Sequence, residues 1–253
     1  MKKVFDLLLK IGFIIFNFFF YLSQKQVKKD VFQITKNIKF KIRPNTIDPF
    51  VVVDNFYLKE YLKESEIKPT DIIVDIGSHI GSFSVFCSQY AKKVISYEAS
   101  PLNYKLFVEN IRLNSIKNID AHNIAVYSKK CKINFFHDKE NTGGNSLFLK
   151  NQKQKMQINA IPLSQIIIDR KLNKIDFLKM DIEGAEYDVL LNTPKKYLNK
   201  ISKIALEYHD YLPTNHNVQE LKNFLEKNGF EVKIIAWPII SQIYKSGLLK
   251  ATR

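Results

Sequence analysis

The sequence predicts an α/β protein with a mostly parallel sheet, and three observations carry that prediction. From residue 71 onward, apolar runs of strand length alternate with helix-period patterns, as strands joined by crossover helices do. The first run ends in a glycine turn, Gly77 and Gly81, that opens a helix toward the crevice above such a sheet. The 253 residues are 45% apolar and 25% charged, ordinary for a folded chain and enough for a substantial core.

The elements follow in order. Residues 4–22 are the most hydrophobic stretch, but Asp6 and Lys10 interrupt them and leave twelve residues from Ile11 to Leu22, Asn17 among them. A spanning helix needs roughly 20 apolar residues, and no small-residue cleavage site follows. With basic residues on both flanks, residues 1–24 are expected to form an uncleaved helix at the inner face of the cytoplasmic membrane. A helix packed on the core or on a partner is the alternative. Residues 25–70 read as a cap of helix and strand, and residues 71–253 as the sheet domain.

Within that domain, strands are expected at 71–77, 94–98, 119–126, 175–181 and 204–208. After the first, Ile80, Phe83, Phe86, Cys87 and Tyr90 fall at helical spacing; after the second, a helix opens at Pro101 and runs through Leu102, Leu106 and Leu113. Residues 132–138 alternate as an exposed strand does, and Thr142, Gly143, Gly144 and Asn145 form a turn. A helix follows from Ala185, residues 217–228 are amphipathic, and 232–237 with 247–252 can supply two last strands.

Composition narrows the function without naming it. The net charge is +14, from 39 basic and 25 acidic residues, and residues 1–50 alone hold ten basic residues against three acidic ones. Such a balance suits RNA, anionic lipid or phosphorylated substrates, and equally a lysine-rich genome. Cys87 and Cys131 are too few for a disulfide framework or a structural zinc site, which points to a cytoplasmic chain.

The chemistry gathers at strand ends. Asp75, Ile76, Gly77, Ser78, His79, Ile80 and Gly81 make a strand–turn–helix whose backbone N–H groups face the crevice. The dinucleotide fingerprint would need glycine where His79 and Ser82 stand, so the turn suits an adenosyl ligand without a pyrophosphate. Glu98 ends the next strand, 23 residues after Asp75, where an acid can accept hydrogen bonds from both ribose hydroxyls. Asp181 and Glu183 end the fourth strand, and their alternation would aim both to one side. Glu207, Tyr208 and His209 end the fifth on the same rim, where acids and a histidine can act as general bases. The acids and His209 together could also ligate a metal, although the spacing does not assign one.

Together these residues resemble the FkbM family of S-adenosylmethionine-dependent methyltransferases over roughly residues 45–253. Residues 75–81 look like its D-x-G-[AS]-N-x-G, residues 97–101 its F-E-P-x-P, residues 123–126 its segment after the third strand, and residues 177–186 its L-L-K-x-D-x-E-G-x-E. Two positions depart: His79 stands for the usual Asn, and Ala99 for the first proline. The resemblance implies a class I methyltransferase fold, a Rossmann-like seven-stranded sheet with its last strand antiparallel. It implies that Asp75, Gly77, Ser78, His79, Ile80 and Gly81 hold the methionine part of S-adenosyl-L-methionine, and Glu98, with Ala99 beside it, the ribose. Asn123 and Ala125 would border the adenine, and Asp181 would lie near the methyl.

The reaction so implied is O-methylation of a sugar, glycolipid or secondary metabolite, with His209 as first candidate base and Glu183 as second. Two other functions stay open. One is an RNA methyltransferase, which the charge suggests but no added RNA-binding module supports. The other is a membrane-associated module that binds the cofactor without turnover.

Overall fold

The structure, a computed structural model, describes residues 30–44, 46–137, 154–210, 216–236 and 245–253. The expected helix at 4–22 and the turn at 142–145 lie outside the described residues.

The cap begins with a hairpin, β1 (Val31–Gln33) against β2 (Lys39–Lys41). Helix α1 (Asp48–Val53) follows, with proline in its first turn, and runs into a π-helical turn over Asp54–Leu58. The domain then alternates strand and helix: β3 (Ile72–Ile76), α2 (Ser82–Ser88), β4 (Lys93–Tyr97), α3 (Pro101–Leu113) and β5 (Ile119–His122). Next come β6 (Ala125–Val126), β7 (Cys131–His137) and β8 (Gln154–Ile161), which form a small sheet of their own in the order β6-β8-β7. The chain continues through α4 (Leu163–Asp169), β9 (Phe177–Met180), α5 (Glu186–Leu191), α6 (Lys195–Leu198) and β10 (Lys203–His209). It closes with α7 (Val218–Lys227), β11 (Glu231–Ala236) and β12 (Ser246–Thr252).

Among the described residues the main sheet has seven strands, in the order β11-β12-β10-β9-β3-β4-β5. Only β12 runs antiparallel to its neighbours, β10 and β11. This is the class I methyltransferase arrangement. Strand residues alternate between two cores, as a period of two demands. Val74, Ile76, Ile95, Leu178 and Leu206 pack on one face with Ile166, Tyr187 and Leu221. Ile73, Val94, Phe177 and Ala205 pack on the other with Phe40, Val52, Phe56 and Phe86, so the cap is the lid of the second core. Burial on both faces is why these strands read as continuous apolar runs.

Three expectations change. The strand at 119–126 is two strands in different sheets, because the Asn123 side chain turns back to donate to the carbonyls of Glu98 and Ala99. The fourth strand ends at Met180, so Asp181 and Glu183 sit in the following turn rather than on an extended strand. Strand β8 and helix α4 were not expected at all. The core strands β3, β4, β9 and β10 lie where the sequence places them.

Candidate active site

The strand order reverses between β3 and β9: β4 and β5 extend the sheet one way, β10 the other. The loops leaving β3 and β9 therefore part at the carboxyl ends of the strands and open a crevice. A cavity of about 260 Å³ fills it.

One side of the cavity is the glycine turn. Gly77 and Gly81 hold φ of 79° and 87°, a region L side chains avoid. A Cβ on Gly77 would stand 1.7 Å from the Asp181 carbonyl oxygen, and one on Gly81 would meet the Phe107 ring at 2.0 Å. Between them His79 takes φ 53° without being glycine, and its N–H donates to Glu98 Oε2 at 2.7 Å. The Ser100 N–H donates to Glu98 Oε1 at 2.8 Å. Burial outweighs these donors and the charge of Lys179, and lifts the Glu98 carboxyl to about 7. Each carboxylate oxygen keeps acceptor capacity for a ribose hydroxyl. Ile124, Ala125, Val126 and Phe135 give an apolar wall beside it. The residues present thus fit an adenosyl ligand.

The other side is polar. Asp181 follows β9, Glu183 takes φ 54° in the next turn, and Glu207 comes from β10. Tyr61 reaches in from the cap, its hydroxyl donating to Asp181 Oδ2 at 3.2 Å and to Glu207 Oε2 at 3.4 Å. Lys179 is 4% exposed and donates to the Gly77 carbonyl at 2.7 Å, 3.5 Å from Asp75 Oδ1 and 3.8 Å from Asp181 Oδ2. Burial works against its charge, but Asp75, Asp181 and Glu98 overcome that and hold its pKa above the usual value. Burial and the neighbouring carboxylates raise Glu183 to about 8 against the pull of His209.

His209 sits behind this wall. Its Nδ1 lies 3.1 Å from Glu186 Oε1, and its Nε2 lies 3.6 Å from Glu183 and 3.8 Å from Glu207. Glu186 is itself fixed by the N–H groups of Ile182 and Gly184. Burial disfavours the imidazolium, yet Glu186, Glu183 and Glu207 outweigh it and hold the imidazole well above its normal pKa. Asp181, Glu186 and His209 bring ligand atoms close enough for a metal ion.

Of the residues singled out in the sequence, Gly77, Ser78, His79, Glu98, Ala99, Ala125, Asp181 and Glu183 line the cavity. Asp75, Ile80, Gly81 and His209 are buried behind its wall, while Asn123 is exposed, its side-chain amide on the Glu98 and Ala99 carbonyls. Asp75 is fully buried and accepts from Ser84 Oγ beside Lys179, so it braces the turn from below. Sequence reasoning passed over Asp54, Tyr61, Asn103 and Lys179, which also line the cavity. Lys179 lay inside a quoted motif; the two cap residues carried no local signal.

The methyltransferase FkbM domain family matches residues 75–232. Methyltransferase 1 of Beauveria bassiana (strain ARSEF 2860) is 21% identical over 235 residues, covering 84% of this chain and 91% of that protein. A tRNA(Phe) (4-demethylwyosine(37)-C(7)) aminocarboxypropyltransferase of Pyrococcus horikoshii is 36% identical over 70 residues, 26% of this chain and 25% of that one. The solved methyltransferase FkbM of Methylobacillus flagellatus KT shares the fold with a TM-score of 0.50 at 15% identity, covering 96% of this chain and 60% of that chain. The family match takes in every strand from the glycine turn to the rim carboxylates, and the chain belongs to the FkbM methyltransferase domain family, an S-adenosylmethionine-dependent methyltransferase.

Proposed function

We propose that the protein methylates a hydroxyl of a sugar, glycolipid or secondary metabolite, with Glu183 as the general base. The observation behind this reading is Glu183 itself: a carboxyl on the cavity wall, raised to about 8, beside Asp181 and Glu207. A base poised near the working pH is what deprotonating a hydroxyl needs. His209 stands behind the cavity wall with its ring nitrogens on Glu186, Glu183 and Glu207, which favour its charged form, and from there it steadies the Glu183 carboxylate.

Glu98 would take the ribose hydroxyls, the turn at 77–81 the methionine end, and Ala125 with Asn123 the adenine edge. Bound S-adenosylmethionine supplies a methyl group activated by its sulfonium. The chain supplies alignment: Asp181 and Tyr61 shape the space next to Glu183, and in-line positioning is worth roughly 7–11 kcal/mol. The Glu183 carboxylate then accepts the hydroxyl proton.

The basic-flanked segment at 4–22 supports an acceptor met at a membrane surface. Among the described residues no helix is long and apolar enough to cross a membrane.

The test uses the full chain and methyl-labelled S-adenosylmethionine on polar-lipid, glycan and RNA fractions. Label is expected in a hydroxyl-bearing lipid or glycan, and Glu183→Gln is expected to lower the rate about 10²–10⁴-fold with little loss of S-adenosylhomocysteine binding. Label in RNA alone would replace the acceptor class. Tight S-adenosylhomocysteine binding with no transfer to any fraction would favour a binding module.

A further inference from the structure

We propose that Arg43, in the cap and outside the matched domain, is a positioning residue that braces Glu98 from both sides. The inference rests on reading the cavity as the S-adenosylmethionine site.

Arg43 follows β2 and is itself immobilised. Its Nε and its backbone N–H both donate to Asp48 Oδ2 at 2.9 Å, and its Nη2 donates to Asp48 Oδ1 at 2.8 Å. Asp48 is fully buried at the start of α1, and Arg43 holds its carboxyl below the usual range although burial pushes the other way. A planar guanidinium gripped by two carboxylate oxygens has fixed directions for its remaining donors.

Those donors point at two of the three groups that hold Glu98, the third being the Ser100 N–H. Nη2 lies 3.2 Å from His79 Nε2, and Nη1 donates to Asn103 Oδ1 at 2.8 Å. His79 gives its N–H to Glu98 Oε2 at 2.7 Å, and Asn103 Nδ2 reaches Glu98 Oε1 at 3.5 Å. One side chain thus touches a support of each carboxylate oxygen. Burial, with the Arg43 charge, lowers the His79 imidazole to about 4, so its Nε2 can accept from the guanidinium. His79 also holds a left-handed φ of 53°, a conformation that persists in a side-chain residue only where its surroundings enforce it. Arg43 is part of that enforcement. A lysine has the charge but not the fork, and cannot serve Asp48, His79 and Asn103 together.

A residue that merely glued the cap down would lower stability without acting through Glu98, and a double-mutant cycle separates the two. S-adenosylhomocysteine is titrated by calorimetry into the full chain as wild type, Arg43→Lys, Glu98→Gln and the double variant, with unliganded melting curves for each. Arg43→Lys is expected to weaken binding at least fivefold and Glu98→Gln at least tenfold. The double variant is expected to bind within about twofold of Glu98→Gln. Asn114→Ala cuts the cap's bonds to the Lys39 backbone away from Glu98, and is expected to stay within twofold of wild type.

Wild-type affinity in Arg43→Lys, or losses that multiply in the double variant, would overturn the proposal. If Arg43→Lys does not fold, Asp48→Asn decides, since it loosens the grip on the guanidinium without contacting Glu98, and it should show the same coupling to Glu98→Gln. A folded wild type that does not bind S-adenosylhomocysteine removes the cofactor reading, and this inference falls with it.

Discussion

At Gly77 two demands meet that no other residue satisfies. The backbone there is left-handed, and the space where a Cβ would go is held by the Asp181 carbonyl. That carbonyl cannot retreat, because the Asp181 N–H is bonded to the Ile76 carbonyl at 3.0 Å. Gly77→Ala is therefore expected to lose S-adenosylhomocysteine binding and to melt several degrees lower. Gly229→Ala, at a similar φ but with its nearest contact at 3.4 Å, bears backbone strain alone, about 1 kcal/mol or roughly 2–4 °C. Gly77, Glu98, Asp181 and Glu183 were legible in the sequence because each sits at the end of an apolar run, where topology alone delivers it to the crevice. Tyr61 was not: it meets Asp181 across 120 residues of chain, and only the docking of the cap brings it there. Arg43 and Asp54 stayed hidden for the same reason.

At the level of elements, helix α3 ties cap to sheet. Ser100 caps its start by accepting from the Asn103 N–H, with Pro101 in the first turn. One turn from its end, Asn110 is fully buried, accepts from the Lys41 N–H at 2.6 Å, and donates to the carbonyls of Lys41 and Ile80. Asn110→Ala strands those backbone groups in the interior and is expected to cost about 2 kcal/mol or more, a fall of roughly 4–8 °C in melting temperature. A helix with Ser-Pro at its head was easy to foresee. Strand β8 was harder, since Gln154, Lys155, Gln157 and Asn159 give it the look of a solvated segment until β7 is found beside it. The division of 119–126 turned on Asn123, whose side-chain bonds no periodicity records.

Across the whole molecule, a basic chain carries an acidic centre that its fold holds partly protonated. Glu98 at about 7 and Glu183 at about 8 both titrate above their unfolded carboxyl values, and His209 also titrates above its own. Each binds a proton more readily folded than unfolded, so the stability it adds is fully present in acid and is lost as pH rises through the folded value. His79, lowered to about 4, has the opposite sign, and its effect lies mostly below pH 6.5, where the unfolded imidazole is charged. The unliganded protein is expected to melt progressively lower between pH 6.5 and 8, and Glu183→Gln to flatten the slope; scanning calorimetry across that range checks both. The order of the sheet has a consequence for how the chain is made. β12 follows β11 in sequence yet lies between β11 and β10, with Leu249 and Ala251 fully enclosed. Synthesis runs one way, so the strands that carry Gly77, Glu98 and Asp181 can pair as they leave the ribosome. β10, with Glu207 and His209, waits with one edge bare, and β11 has no neighbour until Ser246–Thr252 slides between them. During that interval β10 lacks its antiparallel neighbour, and its open edge can pair with another chain. Chaperone dependence should concentrate there.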